Sequence, residues 1–385
     1  MNGKRAKSLR LEAIDRYEAG ESATIICRSL GKSRGWLYKW IQRKDELCLD
    51  PGPKRAHNRK PLEVEKAVIS VRQKLQSTKY AQIGVNAINR ELYLQGRSHL
   101  PASTIKRILK REGLQRTKTP YLPKGKAYPK QEAVYANNVH QADLVGPRFI
   151  KGDGRFYSLN IMDIATHRIT LNPSRRKDDE SIAEGLIRTW KKLGIPDFLQ
   201  LDNELSFRGS NRWPHSLGLV LRLCLLMKVQ SLFIPQGEPW RNGEIESFQG
   251  TFDKAFFRSQ YFGSFKELCS EAPRFEDYHN EHYVYSCLNG KTPNQALKHD
   301  SVGIQLLHDS FQLPEKRIPI VDGYIHFVRF IRSDRKLIIF GESFTVPKDL
   351  IYEYVKATIC TDIHTLQIRH DDQLVDAFEY VVPVD

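Results

Sequence analysis

Residues 139–146 read VHQADLVG, a β-rich apolar run that carries a single acid, Asp143. Two further β-rich apolar runs follow it, and together the three runs predict successive strands joined by hairpins. Helical and strand patterns then alternate up to about residue 259. The predicted elements are strands at 139–145, 156–163, 167–171, 197–202 and 229–234, and helices at 179–193, 213–227 and 241–259. This order predicts an α/β core.

Three acids of this core lie at chemically informative positions. Asp143 lies within the first predicted strand, Asp202 ends the fourth, and Glu246 lies near the start of the last helix. Carboxylates at the ends of buried strands are costly unless they bind a cation or another partner. Three that converge can hold two divalent ions, and oxygen ligands of this type suit Mg²⁺ or Mn²⁺. These acids are the candidate catalytic and metal-binding residues.

The residues around the three acids resemble the signatures of the DDE integrase core, which retroviral integrases share with many bacterial insertion-sequence transposases. The matching residues are Asp143, the pair Asp202-Asn203, and the run Pro239-x-x-Asn242-Gly243-x-x-Glu246. The resemblance covers about residues 135–298. It agrees with a ribonuclease-H-like fold, which the strand and helix order also predicts. Downstream, the residues that resemble the motif closing this core are Tyr278, Asn280 and residues 288–293 (LNGKTP).

Several features depart from the family pattern. Asp202 and Glu246 lie 44 positions apart, more than in the commonest members, and the extra length is expected at 208–217. Glu204 stands where relatives usually have Gly. The Arg-Pro-His of the closing motif is replaced by residues 282–284 (HYV). The zinc-binding amino-terminal domain of retroviral integrases is absent.

Other acids compete for the same roles. Glu244 and Glu246 flank Ile245 in one helical turn, so helical phase does not choose between them. The family motif places its acid three residues after the glycine, which selects Glu246. Glu204 is either a fourth acid near the metals or a solvated residue, and the second interpretation is preferred. The acids expected in loop, hairpin and strand-edge positions are Glu238, Asp153 and Asp163.

Residues 1–48 predict a helix-turn-helix domain. Helices are expected at 6–19, 23–30 and 34–43, with a turn at Gly31 and Ser33 as the N-cap of the third helix. The aromatic stripe of the third helix is interpreted as core packing. Its other faces are the candidate DNA-binding surface, and a merely solvated face is the alternative. The candidate residues are Arg34, Tyr38, Lys39, Gln42 and Arg43.

A second helix-turn-helix-like domain is predicted at residues 62–118. Its helices are expected at 62–76 and 82–94 and after Pro101, and Pro- and Lys-rich linkers at 49–61 and 119–134 flank the domain. Two modules in series can grip a longer DNA site than either alone. The candidate DNA-binding residues of the last helix are Lys106, Arg107, Lys110 and Arg111.

Residues 324–382 alternate apolar and polar side chains in short runs separated by turn residues. This pattern predicts about five antiparallel strands, interpreted as a small β-barrel. The predicted chain is therefore multidomain. It has N-terminal all-α helix-turn-helix modules, an α/β ribonuclease-H-like core at 135–300, and a C-terminal small β-barrel at 320–385.

The charge of the chain is segregated. Residues 1–134 carry 30 Lys and Arg against 12 Asp and Glu, whereas residues 135–385 carry 30 against 33. A basic front joined to a near-neutral body is typical of a polyanion binder. The six cysteines form no Cys-x-x-Cys pair, which argues against a zinc knuckle or a disulfide framework. No apolar run approaches the length of a membrane span, so we expect a cytoplasmic, nucleoid-associated bacterial protein with no membrane partner.

The resemblance implies a DNA transposase that uses two Mg²⁺ ions, or Mn²⁺ in their place, for 3′-end cleavage and strand transfer. The implied partners are the terminal inverted repeats of an element, target DNA, and further copies of this chain. Two alternatives stay open. One is a catalytically silent, transposase-derived DNA-binding regulator. The other is a nuclease acting on RNA–DNA hybrids, which explains the helix-turn-helix modules poorly.

Overall fold

The computed structural model describes residues 3–44, 59–115, 126–209, 215–300 and 302–382. The chain divides into two compact units, residues 1–65 and 66–385. The cysteines within the described ranges are free thiols. Over those ranges, no helix combines the length and the apolar character that crossing a membrane requires.

The first unit contains the three predicted helices. They are α1 (Gly3–Glu18), α2 (Ala23–Leu30) and α3 (Arg34–Gln42). Gly31 ends α2 with a left-handed conformation (φ 61°), which glycine adopts at little cost. Ser33 caps α3, because its hydroxyl accepts a hydrogen bond from the backbone N–H of Trp36 (3.1 Å). Ile26 and Leu37 are fully buried between the helices, so α2 and α3 pack as a helix-turn-helix.

A second set of helices follows, with bounds close to the prediction. They are α4 (Leu62–Ser77), α5 (Val85–Leu94) and α6 (Ala102–Arg111). Buried Asn89 joins α5 to the segment that leads into α6. Its side chain donates to the carbonyl oxygen of Leu100 (2.8 Å) and accepts from the N–H of the same residue (3.0 Å). This paired contact fixes the turn ahead of α6.

The central sheet contains the five strands that the sequence predicts for the core. The strands are β1 (Val139–Ile150), β2 (Gly154–Asp163), β3 (Ile169–Ser174), β4 (Phe198–Leu201) and β5 (Gln230–Phe233). The order is β5-β4-β1-β2-β3. β1, β2 and β3 pair antiparallel, whereas β4 and β5 are parallel to β1. The mixed α/β core is therefore confirmed.

Helices cover both faces of this sheet. They are α7 (Asp179–Lys192), α8 (Leu205–Arg208), α9 (Leu219–Leu226), α10 (Gly243–Thr251), α11 (Phe265–His282) and α12 (Pro293–Lys298). α7 and α9 pack on the face that carries Ala142 and Ile161. α10 and α11 pack on the face that carries Val145 and Met162. A π-helical segment, Phe252–Phe257, continues α10.

The helix predicted at 213–227 is shorter than expected. It begins at Leu219, after a non-helical segment at 215–218, and residues 213 and 214 lie outside the described residues. The backbones of Gly209 and Gly218 touch, since a Cβ on Gly209 would lie 3.0 Å from the backbone nitrogen of Gly218. These two glycines lie near the ends of the segment 208–217 in which the sequence predicts extra length, and residues 210–214 lie outside the described residues.

Helix α11 protects the outer edge of the sheet. β3 is an edge strand, and such strands expose unpaired backbone groups. Asn280 accepts from the N–H of Ile169 (2.9 Å) and donates to its carbonyl oxygen (3.1 Å). Glu276 accepts from the N–H of Leu171 (2.7 Å). Asn280, one of the residues that resemble the closing motif, therefore binds α11 to the edge of the sheet.

The C-terminal strands do not form the predicted separate β-barrel. They are β6 (Tyr324–Phe330), β7 (Lys336–Ile339), β8 (Glu342–Thr345), β9 (Tyr354–Cys360), β10 (Thr365–His370) and β11 (Gln373–Glu379). β6 pairs in parallel with β5, and β9, β10 and β11 follow it. The result is one nine-stranded mixed sheet, with β7 and β8 as a separate hairpin.

Apolar packing explains this extension. Ile325 and Phe327 of β6 are buried in the same cluster as Phe233 of β5, and the two phenylalanine rings stack with centroids 4.9 Å apart. Strands of a barrel and strands that extend an open sheet have the same alternating pattern. The two architectures differ in which strand pairs with the first C-terminal strand, β6. In this chain that partner is β5.

The loop after α4 anchors the second helical set onto the core. Tyr80, 7% exposed, packs against Phe256 and Phe275. Its hydroxyl donates to Glu271 of α11 (2.6 Å). Hydrogen bonds from Lys79 and Tyr80 lower the pKa of Glu271 to about 2. Residues 282–284 (HYV), which stand in place of the Arg-Pro-His of the family's closing motif, also contact this loop. The N–H of Val284 donates to the side-chain oxygen of Gln82 (2.7 Å).

Tyr80→Ala is expected to lower the free energy of unfolding of residues 66–385 by about 3 kcal/mol, since it removes a buried ring and leaves a cavity. Tyr93, on α5, is 72% exposed, and Tyr93→Ala is the matched control with an expected change under about 0.5 kcal/mol. Chemical denaturation measures both. Equal effects would mean that Tyr80 does not anchor the helices.

Candidate active site

Asp143 and Asp202 lie side by side where the sheet opens. Gln141 of β1 is in parallel register with Gln200 of β4, and each acid is two residues further along its chain. Side chains two apart on a strand share a face. β4 ends at Leu201, whereas β1 continues beside β2 alone. Because neighbouring strands are about 4.8 Å apart, the two acids are neighbours at this opening.

Contacts with the same two strands hold α10 over the opening. Asn242, buried just before α10, donates to a carbonyl oxygen of β1 (3.1 Å) and accepts from Gln200 (3.2 Å). Gln141 accepts from the N–H of Ile245 (3.1 Å). Asn242 of the family-like run therefore joins β1 and β4 to the helix that carries Glu246.

Four carboxylates are electrostatically coupled here. Burial, together with the negative charge of Asp202, raises the pKa of Asp143 to about 7. The charges of Glu246 and Glu204 act on Asp143 in the same direction. Burial also raises the pKa of Asp202 and of Glu246. The structure therefore brings Asp202, Glu246 and Glu204 within electrostatic reach of Asp143.

Glu244 and Glu246 face different surroundings. Glu246 is half-buried and its charge acts on Asp143. Glu244 is exposed, and its charge acts instead on His167 and Cys287. This separation favours Glu246 as the third acid of the site, as the motif spacing predicts.

Glu204 acts electrostatically on two of the candidate acids. It is half-buried, and its charge raises the pKa of both Asp143 and Asp202. Its backbone N–H donates to Asp202 (3.0 Å), and its carboxylate pairs with Lys177 (3.0 Å). The structure thus favours a fourth acid near the site over the solvated residue that the sequence favours.

The other competing acids have partners elsewhere. Glu238 accepts a hydrogen bond from Arg241 (2.8 Å), and Asp153 forms an ion pair with Arg175 (2.7 Å). Asp163 accepts from a backbone N–H (3.1 Å), and burial raises its pKa to about 6. None of these three is among the charges that shift the pKa of Asp143.

Sequence reasoning misses Gln249, whose side chain donates to Asp143. The sequence feature that could have identified Gln249 is its position three residues after Glu246, which places both side chains on the same face of α10. In the described part of the chain, no three or more His, Cys, Asp or Glu side chains are arranged to hold a metal ion as they stand. The chemistry of the donors nevertheless fits Mg²⁺, because all are carboxylate oxygens. Burial and the charge of Asp202 raise the pKa of Asp143, and a bound cation would offset both effects.

The candidate DNA-binding side chains of α3 lie on its exposed face. Leu37 is buried and Trp40 is half-buried beneath Arg10, whose guanidinium lies 3.9 Å from the indole centroid. The aromatic stripe is therefore core packing, as predicted. The exposed residues of the helix and its end are Arg34, Tyr38, Lys39, Gln42 and Arg43.

α6 presents a second basic face. Ile105, Ile108 and Leu109 are buried, so the remaining positions of the helix point away from the core. The exposed basic residues are Lys106, Arg107, Lys110 and Arg111. No negatively charged residue lies in the helix, Ala102–Arg111.

Two kinds of comparison relate the chain to known proteins. A homeodomain-like domain family matches residues 4–46, the region of α1 to α3. Among solved structures, the chain is similar to the catalytic core domain of HTLV-2 integrase in complex with magnesium, at 13% identity over 43% of this chain and 99% of that one, with a TM-score of 0.34. It is also similar to the simian T-cell lymphotropic virus intasome in complex with a PP2A regulatory subunit, at 15% identity over 70% and 84%, with a TM-score of 0.37.

Proposed function

We propose that this protein is a DNA transposase of the DDE class. It binds the ends of a mobile element, cleaves their 3′ ends and joins them to target DNA. The observation that carries the proposal is the group of Asp143, Asp202 and Glu246 at the opening of the sheet, where burial and mutual repulsion raise the pKa of Asp143 to about 7. Strongly perturbed carboxylates in such a position favour function over structure.

The proposed roles follow from position. Asp143, Asp202 and Glu246 are the residues that would hold the two metal ions. When bound, Mg²⁺, or Mn²⁺ in its place, supplies Lewis-acid activation of water or a 3′-hydroxyl and stabilises the leaving oxygen. Asn242 and Gln141 keep α10 in place, which holds Glu246 over the two aspartates. Asp143 must lose its proton to act as a ligand, so metal binding is expected to weaken below about pH 7.

The exposed basic faces of α3 and α6 supply the proposed DNA contacts. A helix-turn-helix places its recognition helix in the major groove, and cations on its surface neutralise phosphates. Two element ends must be held together for joining, so the working form is proposed to be a homo-oligomer on DNA. The terminal inverted repeats are the proposed specific ligand.

Glu246→Gln is expected to lower 3′-end cleavage and strand transfer by about 10³-fold, because one metal ligand is lost. Glu244→Gln is the matched control, with the same change two residues away on an exposed side chain, and should retain activity within about twofold. Both are measured with radiolabelled element-end duplexes in Mg²⁺. Equal loss in both variants, or none in either, would contradict the assignment.

A regulator with a silent core makes the opposite prediction for the unaltered protein. Its binding to element ends would not respond to Mg²⁺, and no DNA substrate would be cleaved or joined. A hybrid nuclease would cleave RNA–DNA duplexes faster than it joins DNA. The same assay, run with both substrates, separates these functions.

A further inference from the structure

The loop that carries Asp202 is held by a residue from the C-terminal extension of the sheet. Arg329 of β6 is 7% exposed, and its Nη2 donates to the side-chain oxygen of Asn203 (2.8 Å). Asn203 directly follows Asp202. Its amide nitrogen donates to the carbonyl oxygen of Ile234 (2.6 Å), and Arg329 Nη1 reaches the same carbonyl oxygen (3.3 Å). Arg329, Asn203 and Ile234 thus form a closed triangle of contacts.

This triangle acts on the position of Asp202 because its members flank that residue. The N–H of Ile234 donates to the carbonyl oxygen of Leu201, the last residue of β4. Asn203 lies on the other side of Asp202. The side chain of Arg208 donates to the backbone carbonyl oxygen of Asn203 (3.0 Å). The backbone of Asp202 is therefore held on both sides.

Stability alone does not explain a buried arginine at this position. No carboxylate is among the hydrogen-bond partners of Arg329, and its Nε has none within the described residues. Burial and the positive charge of Arg208 lower the pKa of Arg329 to about 9. A buried charge without a counter-charge costs folding energy, and an apolar side chain of similar length would avoid that cost.

We propose that Arg329 is a positioning residue for Asp202, so that metal binding at the acidic site depends on the C-terminal strand β6. The inference rests on the proposed function, in which Asp202 is a metal ligand. It also gives the extension of the sheet a role, since it places a rigid strand behind the loop of residues 202–204.

Arg329→Met and Asn203→Ala test this in the full-length protein, with Arg332→Met as the control because Arg332 is exposed just beyond β6. Hydrogen exchange without metal is the first measurement. The amides of Glu204, Phe207 and Arg208, which bond within this loop, are expected to exchange about tenfold faster in both test variants. The amides of β9 and β10 should be unchanged.

The second measurement is the Mg²⁺ concentration that gives half-maximal thermal stabilisation and half-maximal strand transfer. It is expected to rise by about tenfold or more in Arg329→Met and Asn203→Ala. The effects of the two substitutions should add incompletely in the double variant, because both single variants lose the hydrogen bond between Arg329 and Asn203. The control should match the unaltered protein.

Unchanged exchange and an unchanged Mg²⁺ midpoint would overturn the proposal, as would faster exchange spread evenly over β6, β9 and β10. Failure of the proposed function is a separate outcome, since the unaltered protein would then show neither a Mg²⁺ response nor strand transfer. The exchange measurement needs no metal and still reports whether Arg329 holds the loop.

Discussion

Asp143→Asn is expected to reduce 3′-end cleavage and strand transfer by about 10³-fold or more, because the substitution removes the acid shared by both proposed metal positions. Binding to element-end DNA should be unchanged, since the proposed contacts lie on α3 and α6. Gel-based joining assays and fluorescence anisotropy measure the two properties separately. A variant that still joins DNA would contradict the assignment of Asp143.

The same substitution is expected to stabilise the metal-free protein at pH 8. The pKa of Asp143 rises from 3.8 to about 7 on folding, so its ionised form is penalised in the folded state. The penalty is fully present above about pH 7 and falls away as the pH drops towards 3.8, below which the carboxyl is protonated in both states. It amounts to at most about 4 kcal/mol. Thermal unfolding should therefore show a higher Tm for Asp143→Asn at pH 8 and little difference at pH 4.

Asp163→Asn is the control for this experiment. Asp163 is also buried and its pKa is raised to about 6, mainly by burial, but it lies outside the acidic group that acts on Asp143. Its substitution should leave strand transfer within about threefold at temperatures well below unfolding. Loss of joining in both variants would mean that the assay reports stability rather than chemistry.

Removing three positive charges from α6 is expected to weaken DNA binding strongly. The triple variant Lys106→Gln, Arg107→Gln, Lys110→Gln is expected to bind element ends about 10²–10³-fold more weakly at 0.1 M salt. The slope of log affinity against log salt should become shallower by about 2–3, because each phosphate that the protein no longer neutralises reduces it by about 0.9. Anisotropy titrations at several salt concentrations measure both quantities.

A control variant that loses the same number of positive charges elsewhere distinguishes a DNA-binding face on α6 from general attraction of DNA by net charge. Arg332, Lys336 and Lys348 are exposed on the C-terminal strands and turns, and replacing all three with uncharged residues removes the same charge. Their loss should change the slope by less than about 1. An equal effect from both triple variants would mean that the basic surplus attracts DNA without a defined face on α6.

The sequence predicts the local elements well because their signals are local. Ser33 caps α3 and Gly31 ends α2 where their residue types predict, and the strands that carry Asp143 and Asp202 lie within a few residues of expectation. The C-terminal barrel is wrong for a different reason. Its strands are recognisable one by one, but the pairing of β6 with β5 joins segments about ninety residues apart, and alternation in a strand carries no information about its partner.

The same distinction applies to the candidate site. The acids are recognisable because carboxylates in a known order resemble a family motif. Gln249 and Arg329 do not belong to that motif, and their importance comes from tertiary contacts with Asp143 and Asn203. The position of Glu204 is likewise not readable from the sequence, because a sequence does not show how far a loop residue is buried.

Anomalous diffraction from Mn²⁺, with crystals of the full-length protein bound to an element-end duplex, tests the central claim most directly. Anomalous peaks are expected within coordination distance of the carboxylates of Asp143, Asp202 and Glu246, with Asp143 and Asp202 shared between two ions about 4 Å apart. Peaks elsewhere, or carboxylates that bind no Mn²⁺ while DNA is in place, would contradict it.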